Sequence, residues 1–264
     1  MPPRAGLKRV CMVKKSRGQA CDLPGGGPSL RHMTYRLHYA PDNASLIIRL
    51  ALEEMGLPYE TVLVDRRTRA HKSPDYLALN PNGFIPVLET PDGPMFETAA
   101  ILLWLTDRHG QLAPGPDSPE RAAYLKWLFC VSNTPHIALR MIFYPEQYVG
   151  DIPAAQDQLR QHMRGQIIHH FDNLEDLAGQ GHSWFATSAP SGLDFYVACM
   201  MRWLALYPSR DQDWFDITTW PRLRDMLVRL EDCPSVSAAI YAEGLGSTPF
   251  TAPVYPTPPE GSAT

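Results

Sequence analysis

Acids are nearly absent from the first 32 residues, and the whole chain lacks paired cysteines, long apolar runs and a C-terminal half with hairpin signals. Each absence closes off a class of protein. Residues 1–32 carry seven Lys/Arg against the single acid Asp22, with Pro24-Gly25-Gly26-Gly27-Pro28 among them. They contain no apolar core of secretory length, so they read as a disordered basic extension, or as a start assigned too early with Met33 as the beginning. A mitochondrial-type transit segment would share the same basic, acid-poor composition. The five cysteines (Cys11, Cys21, Cys130, Cys199, Cys233) form no C-x-x-C, which argues against a disulfide framework and a structural zinc site. No run approaches the roughly 20 apolar residues of a membrane span. Residues 33–264 hold 17 Lys/Arg against 27 Asp/Glu, a poor balance for binding nucleic acid or an anionic membrane. The chain reads as cytoplasmic, with no nucleic-acid or membrane partner.

What is present divides at about residue 110. Tyr35–Tyr39 has strand composition and ends in Pro41-Asp42-Asn43. Ala44–Met55 has helical periodicity and stops at Gly56, and Tyr59–Val64 is a second strand. A short helical patch follows Ser73-Pro74. Phe84–Glu89 and Met95–Phe96 then flank an Asp92-Gly93 turn, and a helix runs from Glu97 to about Arg108. The order βαβ-α-ββα fits a mixed four-stranded sheet. Beyond the Pro/Gly-rich stretch at 110–119 the signals are helical, at about 119–144, 153–178, 191–207, 221–232 and 234–243. Residues 246–264 are proline-rich and expected to be extended or disordered. The expected organisation is therefore 1–32 extension, 33–110 α/β domain, 111–245 all-α domain and 246–264 tail.

Four local patterns carry chemistry. Pro86 interrupts an apolar strand and cannot donate to a ladder. Either it marks a plain edge strand, or a cis Ile85–Pro86 bond turns the Ile85 backbone outward to pair with an extended peptide. Glu97-Thr98 opens a helix after the hairpin. It is either a simple first turn with an acid, or a seat for the zwitterionic end of an amino acid. His71-Lys72 are solvated charges or the holders of a second carboxylate. Asn43-Ala44-Ser45 is an ordinary helix start, or a hydroxyl and a helix dipole aimed at a thiolate. His169-His170 point about 100° apart on a helix and lack further ligands, so no metal is expected.

In order and spacing, Asn80-Pro81-x-Gly83-x-Ile85-Pro86-Val87-Leu88 followed by Glu97-Thr98-Ala99-Ala100-Ile101 resembles the glutathione S-transferase family. The likeness extends from residue 34 to about 243. It includes Ser191-Gly192-Leu193-Asp194, similar to a capping box of that family, and the stretch from Trp220-Pro221 to Cys233-Pro234. The resemblance implies a thioredoxin-like N-terminal domain followed by a C-terminal helical bundle, with glutathione as co-substrate, no metal, a small apolar electrophile as partner and a homodimer. It assigns the Ile85 backbone, beside Pro86, to the cysteinyl unit, Glu97 and Thr98 to the γ-glutamyl group, and Lys72 with or without His71 to the glycyl carboxylate. In the bacterial subgroup most resembled, a cysteine stands where this chain has Ala44. Ser45 is then the expected thiol partner, with Asn43 and Tyr39 as substitutes. Lowering a thiol pKa from near 9 to near 6.5 takes ~3.4 kcal/mol. One charge-assisted hydrogen bond (roughly 1.5–3) and a helix N-terminus (roughly 0.3–1) together reach that scale. On the helix read as 119–144, Asn133 and Arg140 are candidates for the second-substrate pocket. The expected activity is glutathione transfer. The alternatives are a glutathione-dependent isomerase of the maleylacetoacetate type, suited by Ser45 and Arg140, and a glutathione-binding protein without turnover.

Overall fold

In the computed structural model residues 35–208 and 214–263 are described; the basic extension at 1–32 and Thr264 lie outside the described residues. β1 (Tyr35–Tyr39), α1 (Ser45–Glu54) and β2 (Tyr59–Leu63) form a βαβ unit whose strands pair in parallel, Leu37 opposite Thr61. A 3-10 turn (Ala70–Lys72) and α2 (Pro74–Leu79) lead to β3 (Val87–Thr90), β4 (Gly93–Phe96) and α3 (Thr98–His109). The sheet order is β2-β1-β3-β4, with β3 antiparallel to both β1 and β4.

Alternation along the strands explains the layering. Leu37 and Leu88 face α1 and α3, joining Leu46, Ile47, Leu50, Ile101, Leu102 and Leu105 in the main core. Val87 points the other way and packs with Val64 and Tyr76 of α2. Ser73 caps α2, its Oγ accepting from Tyr76 N, and Pro74 occupies the first helical position, where its missing N–H costs nothing.

The helical part comprises α4 (Arg121–Asn133), α5 (Pro135–Phe143), α6 (Glu146–Val149), α7 (Pro153–Ala178), α8 (Gly192–Leu206), α9 (Pro221–Glu231) and α10 (Pro234–Glu243). The stretch expected as one helix from 119 to 144 is broken. Thr134 leaves helical geometry at φ −123°, ψ −77°, because Pro135 disfavours a helical residue before it. α8 is the central helix and nearly every residue on it is buried. It opens on the expected capping box: Asp194 N donates to Ser191 Oγ at 3.2 Å and Ser191 N to Asp194 Oδ2 at 2.7 Å.

One charge sits deep on α8. Arg202 is fully buried and meets Asp42 from the β1–α1 corner in a two-pronged ion pair at 2.8 and 3.0 Å. The Asp42 carboxylate also accepts from Trp203 Nε1 at 2.9 Å and Tyr207 OH at 3.0 Å. Beside it, Glu243 of α10 accepts from Asp42 N and from Arg49 Nε, both at 2.7 Å. A buried pair of this kind holds only because its remaining donors and acceptors are satisfied.

The proline-rich tail is extended, and it is bound. Arg202 donates to the carbonyls of Leu245, Pro249 and Val254 at 3.0–3.2 Å. Gly244 turns the chain at φ +64°, where a Cβ would stand 2.0 Å from Thr257 O, so only glycine fits. Further along, Tyr39 OH donates to Glu260 Oε1 at 2.5 Å and Arg66 Nη1 to Ala263 O at 2.6 Å. The tail thus returns to the first sheet.

Candidate functional site

The β1–α1 corner, the loop before β3, the start of α3, one face of α5, the end of α8 and the returning tail enclose a cavity of about 1360 Å³. That exceeds the roughly 300–1,000 Å³ of an ordinary small-molecule pocket. Its walls include Asn43, Ala44, His71, Lys72, Ile85, Pro86, Glu97, Thr98 and Arg140. These come from well-separated stretches of the chain, and the fold brings them together.

The Ile85–Pro86 bond is cis. The β3–β4 ladder begins at Val87, so Ile85 lies ahead of it on the cavity wall. The preceding loop is tied down by Asn80 Nδ2 and Tyr76 OH, which both donate to Phe84 O at 2.8 Å. Gly83 in that loop is buried at φ +63°. A Cβ there would come within 2.7 Å of His71 O and 2.8 Å of Lys72 Nζ. Glycine therefore lets the His71–Lys72 turn close against the loop. Lys72 Nζ donates to Asn82 O at 3.2 Å, and His71 Nδ1 is buried with no partner among the described residues. Burial, and then the nearby charges of Lys72, Arg66 and Arg69, hold the His71 pKa below its ordinary value.

Glu97 precedes α3 with φ +69°, ψ 110°, a strained backbone for a residue with a side chain, and it is exposed on the cavity. No side chain caps α3, so the N–H groups of Thr98 and Ala99 stand at a helix N-terminus on the cavity wall. An acid beside a helix start can hold an ammonium and a carboxylate side by side.

Three expectations meet a different geometry. Ser45 is fully buried: its Oγ donates to Ala40 O at 3.1 Å and accepts from Ala40 N at 3.3 Å, so it braces the corner and does not line the cavity. Tyr39 is buried under the tail, its hydroxyl on Glu260 and Arg49 over its ring at 4.7 Å. Asn133, last residue of α4, is exposed and off the cavity wall, where its neighbour Ser132 stands instead. Asn43 does line the cavity, with Oδ1 accepting from Ala44 N at 2.9 Å.

The sequence reading passed over His136, which lines the cavity on α5. Its Nδ1 lies 2.7 Å from Tyr196 OH and its ring tilts over Trp203, whose Nε1 holds Asp42. Burial first, then the Arg140 charge, pushes its pKa down to about 4, so the ring is neutral at pH 7. A proline immediately before the histidine, resetting the helix, was the available signal. Among the described residues no group of three or more His, Cys, Asp or Glu could hold a metal ion, and no helix is long and apolar enough to cross a membrane.

This is a thioredoxin-like sheet domain joined to a helical domain, with a peptide-sized cavity where they meet. The profile of the glutathione S-transferase N-terminal domain matches residues 44–108 and that of the C-terminal domain residues 157–225. A glutathione S-transferase of Xanthomonas campestris, GST-4.5, is 28% identical over 215 residues, 80% of this chain and 99% of that one. The crystal structure of a glutathione transferase from Methylococcus capsulatus is 30% identical with a TM-score of 0.65, over 80% of this chain and 99% of that one. A sphingomonad glutathione S-transferase complexed with glutathione is 29% identical, TM-score 0.65, over 80% of this chain and all of that one. The chain belongs to the glutathione S-transferase family.

Proposed function

We propose that this protein is a glutathione transferase that adds glutathione thiolate to small electrophiles, a chemistry suited to detoxification in the cytoplasm. The observation that carries it is the convergence of Ile85 beside its cis proline, uncapped α3 behind Glu97, and the His71–Lys72 turn on one cavity. Glutathione is an extended peptide with an α-amino acid at one end and a carboxylate at the other. The Ile85 backbone pairs with its middle, Glu97 takes the ammonium, and the Thr98 amide takes the adjacent carboxylate. Lys72 and His71 take the glycyl carboxylate.

The thiol then lies between the α1 start and α5. In this reading Asn43 and His136 flank it, with Ala44 leaving room for the sulfur. We take the Tyr196 hydroxyl, 2.7 Å from His136 Nδ1, as the donor in that bond, which leaves the proton on Nε2 for the thiolate. A neutral donor lowers a thiol pKa by stabilising the anion; it does not need to titrate with it. The chain acts as a homodimer in this proposal, which rests on the family likeness and is checked by sedimentation at micromolar concentration.

The test is an ultraviolet titration of protein-bound glutathione. The thiolate absorbance is expected to rise at a pH well below that of free glutathione, and less so in His136→Ala. A bound thiol that titrates as in solution would leave a binding protein without turnover. A second reading, glutathione-dependent isomerisation of an unsaturated diketo acid, draws on Arg140 in the same cavity.

A further inference from the structure

Residues 33–264 carry ten more acids than bases, yet one wall of this cavity gathers cations that form no ion pair with an acid among the described residues. Lys72 Nζ lies 5.6 Å from the centre of the Phe84 ring, and Arg140 Cζ covers the same ring at 4.0 Å. Arg140 also stands 5.9 Å from the Tyr144 ring, with Arg66 6.0 Å from it. The order along the wall is therefore cation, ring, cation, ring, cation. Arg140 Nη2 donates to the neutral Gln147 Oε1 at 2.8 Å; Arg66 donates from Nη2 to Tyr144 OH at 2.8 Å and from Nη1 to Ala263 O at 2.6 Å, all uncharged acceptors. Among the described residues neither arginine forms an ion pair with a carboxylate. Guanidinium groups held on aromatic faces keep their forked donors oriented and ready for an anion.

Glutathione does not use them up. Resting on the reading above, its two carboxylates go to the start of α3 and to His71–Lys72. Arg66 and Arg140 remain, on the side of the cavity lined by Phe84 and Tyr144, where an electrophile would lie. We infer that the electrophile is an organic acid: a flat, unsaturated or aromatic body against Phe84 and Tyr144, with its carboxylate between Arg140 and Arg66. The positive field around His71 agrees with this, since Lys72 and Arg66 stand among the causes of its lowered pKa, after burial.

The experiment uses the full chain and two matched electrophiles, 4-chloro-3-nitrobenzoate and 4-chloro-3-nitrobenzamide. In both, the glutathione sulfur attacks the ring carbon, the C–S bond forms, the C–Cl bond breaks and its electron pair leaves as chloride. The thiol proton goes to solvent. Rates are divided by the uncatalysed rate for each compound, which removes their intrinsic difference. The acid is expected to be favoured about tenfold or more, the scale of one charge-assisted hydrogen bond. That preference should shrink in Arg140→Gln and in Arg66→Gln, vanish in the double variant and return in part with Arg140→Lys. Arg108→Gln removes a charge remote from the cavity and should leave the preference intact. The affinities of the two S-aryl glutathione conjugates are measured in parallel by titration calorimetry. Equal preference for acid and amide in wild type, by rate and by conjugate affinity, overturns the inference and leaves the transferase reading standing. So does a preference that survives the double variant, or one lost equally in Arg108→Gln. If neither compound is turned over but the acidic conjugate binds tighter in an arginine-dependent way, the acid site stands and the transferase reading falls.

Discussion

Replacing Asp42 with asparagine keeps the side chain's shape and its tolerance of the left-handed backbone it adopts at φ +49°, and removes only the charge. The wild-type carboxylate takes four donors, two from Arg202 and one each from Trp203 and Tyr207. An amide offers one oxygen for them and turns an NH₂ toward N–H and O–H groups that also donate. Arg202, fully buried, keeps its three tail carbonyls but loses its counter-ion. Breaking a buried pair by removing one partner costs roughly 3–5 kcal/mol. Trp203 and Tyr207 border the cavity, so water can recover part of their loss. The expected destabilisation is about 4 kcal/mol, against a typical total of roughly 5–15. Urea unfolding followed by tryptophan fluorescence measures it. Asp92→Asn is the reference, because its pair with Arg108 is exposed on both sides and should cost less than about 1 kcal/mol. If Asp42→Asn costs no more than Asp92→Asn, the network does not hold the corner as argued.

In the proposed glutathione site Glu97→Gln removes the charge assigned to the ammonium and should weaken glutathione binding by roughly tenfold to a hundredfold in calorimetry, with little change in unfolding midpoint. Gly83→Ala pushes a Cβ into the His71–Lys72 turn, so glutathione affinity should fall while affinity for γ-glutamylcysteine, which lacks the glycyl carboxylate, changes less. Ser45→Ala loses only buried contacts to Ala40; a cost of about 1 kcal/mol in stability is expected with turnover retained, and collapse of turnover would return Ser45 to the site. His136 has a folded pKa of about 4 against an unfolded value near 6.5, so the unfolded chain binds the extra proton first. Its contribution is full above pH 6.5 and is lost as pH falls toward 4. The stability difference between wild type and His136→Gln should therefore narrow over that window, and a pH-independent difference would contradict the neutral ring.

Local signals were legible in the sequence. Prolines at helix starts, the Asp-Gly hairpin, the Ser191–Asp194 box and the Ile85-Pro86 loop each depend on neighbours within a few residues. The residues proposed to hold glutathione, Ile85, Glu97 and Thr98, stand on the cavity wall. Less legible were side-chain directions, which depend on which partner takes each polar group. Ser45 looks like a free hydroxyl at a helix start, but Ala40, on the far side of the turn, occupies it. Asn133 and Arg140 share one face only on an unbroken helix, and the break before Pro135 separates them. His136 gains its place on the cavity wall through Tyr196 and Trp203, some 60 residues on, which nothing near it in the sequence shows. The tail's composition indicates extension, and nothing local shows that a buried arginine on α8 would gather it.

That tail also bears on how the molecule comes apart. From α10 it runs past α8 and ends its described course against Arg66, with Glu260 hydrogen-bonded to the first strand. The chain itself therefore joins the sheet and the helices at two places, between α3 and α4 and through this return, in addition to the Asp42–Arg202 and Arg49–Glu243 pairs. Neither part can open without stripping contacts from the other. Unfolding should follow as a single cooperative event, with amides of β1 and α8 exchanging at the same global rate.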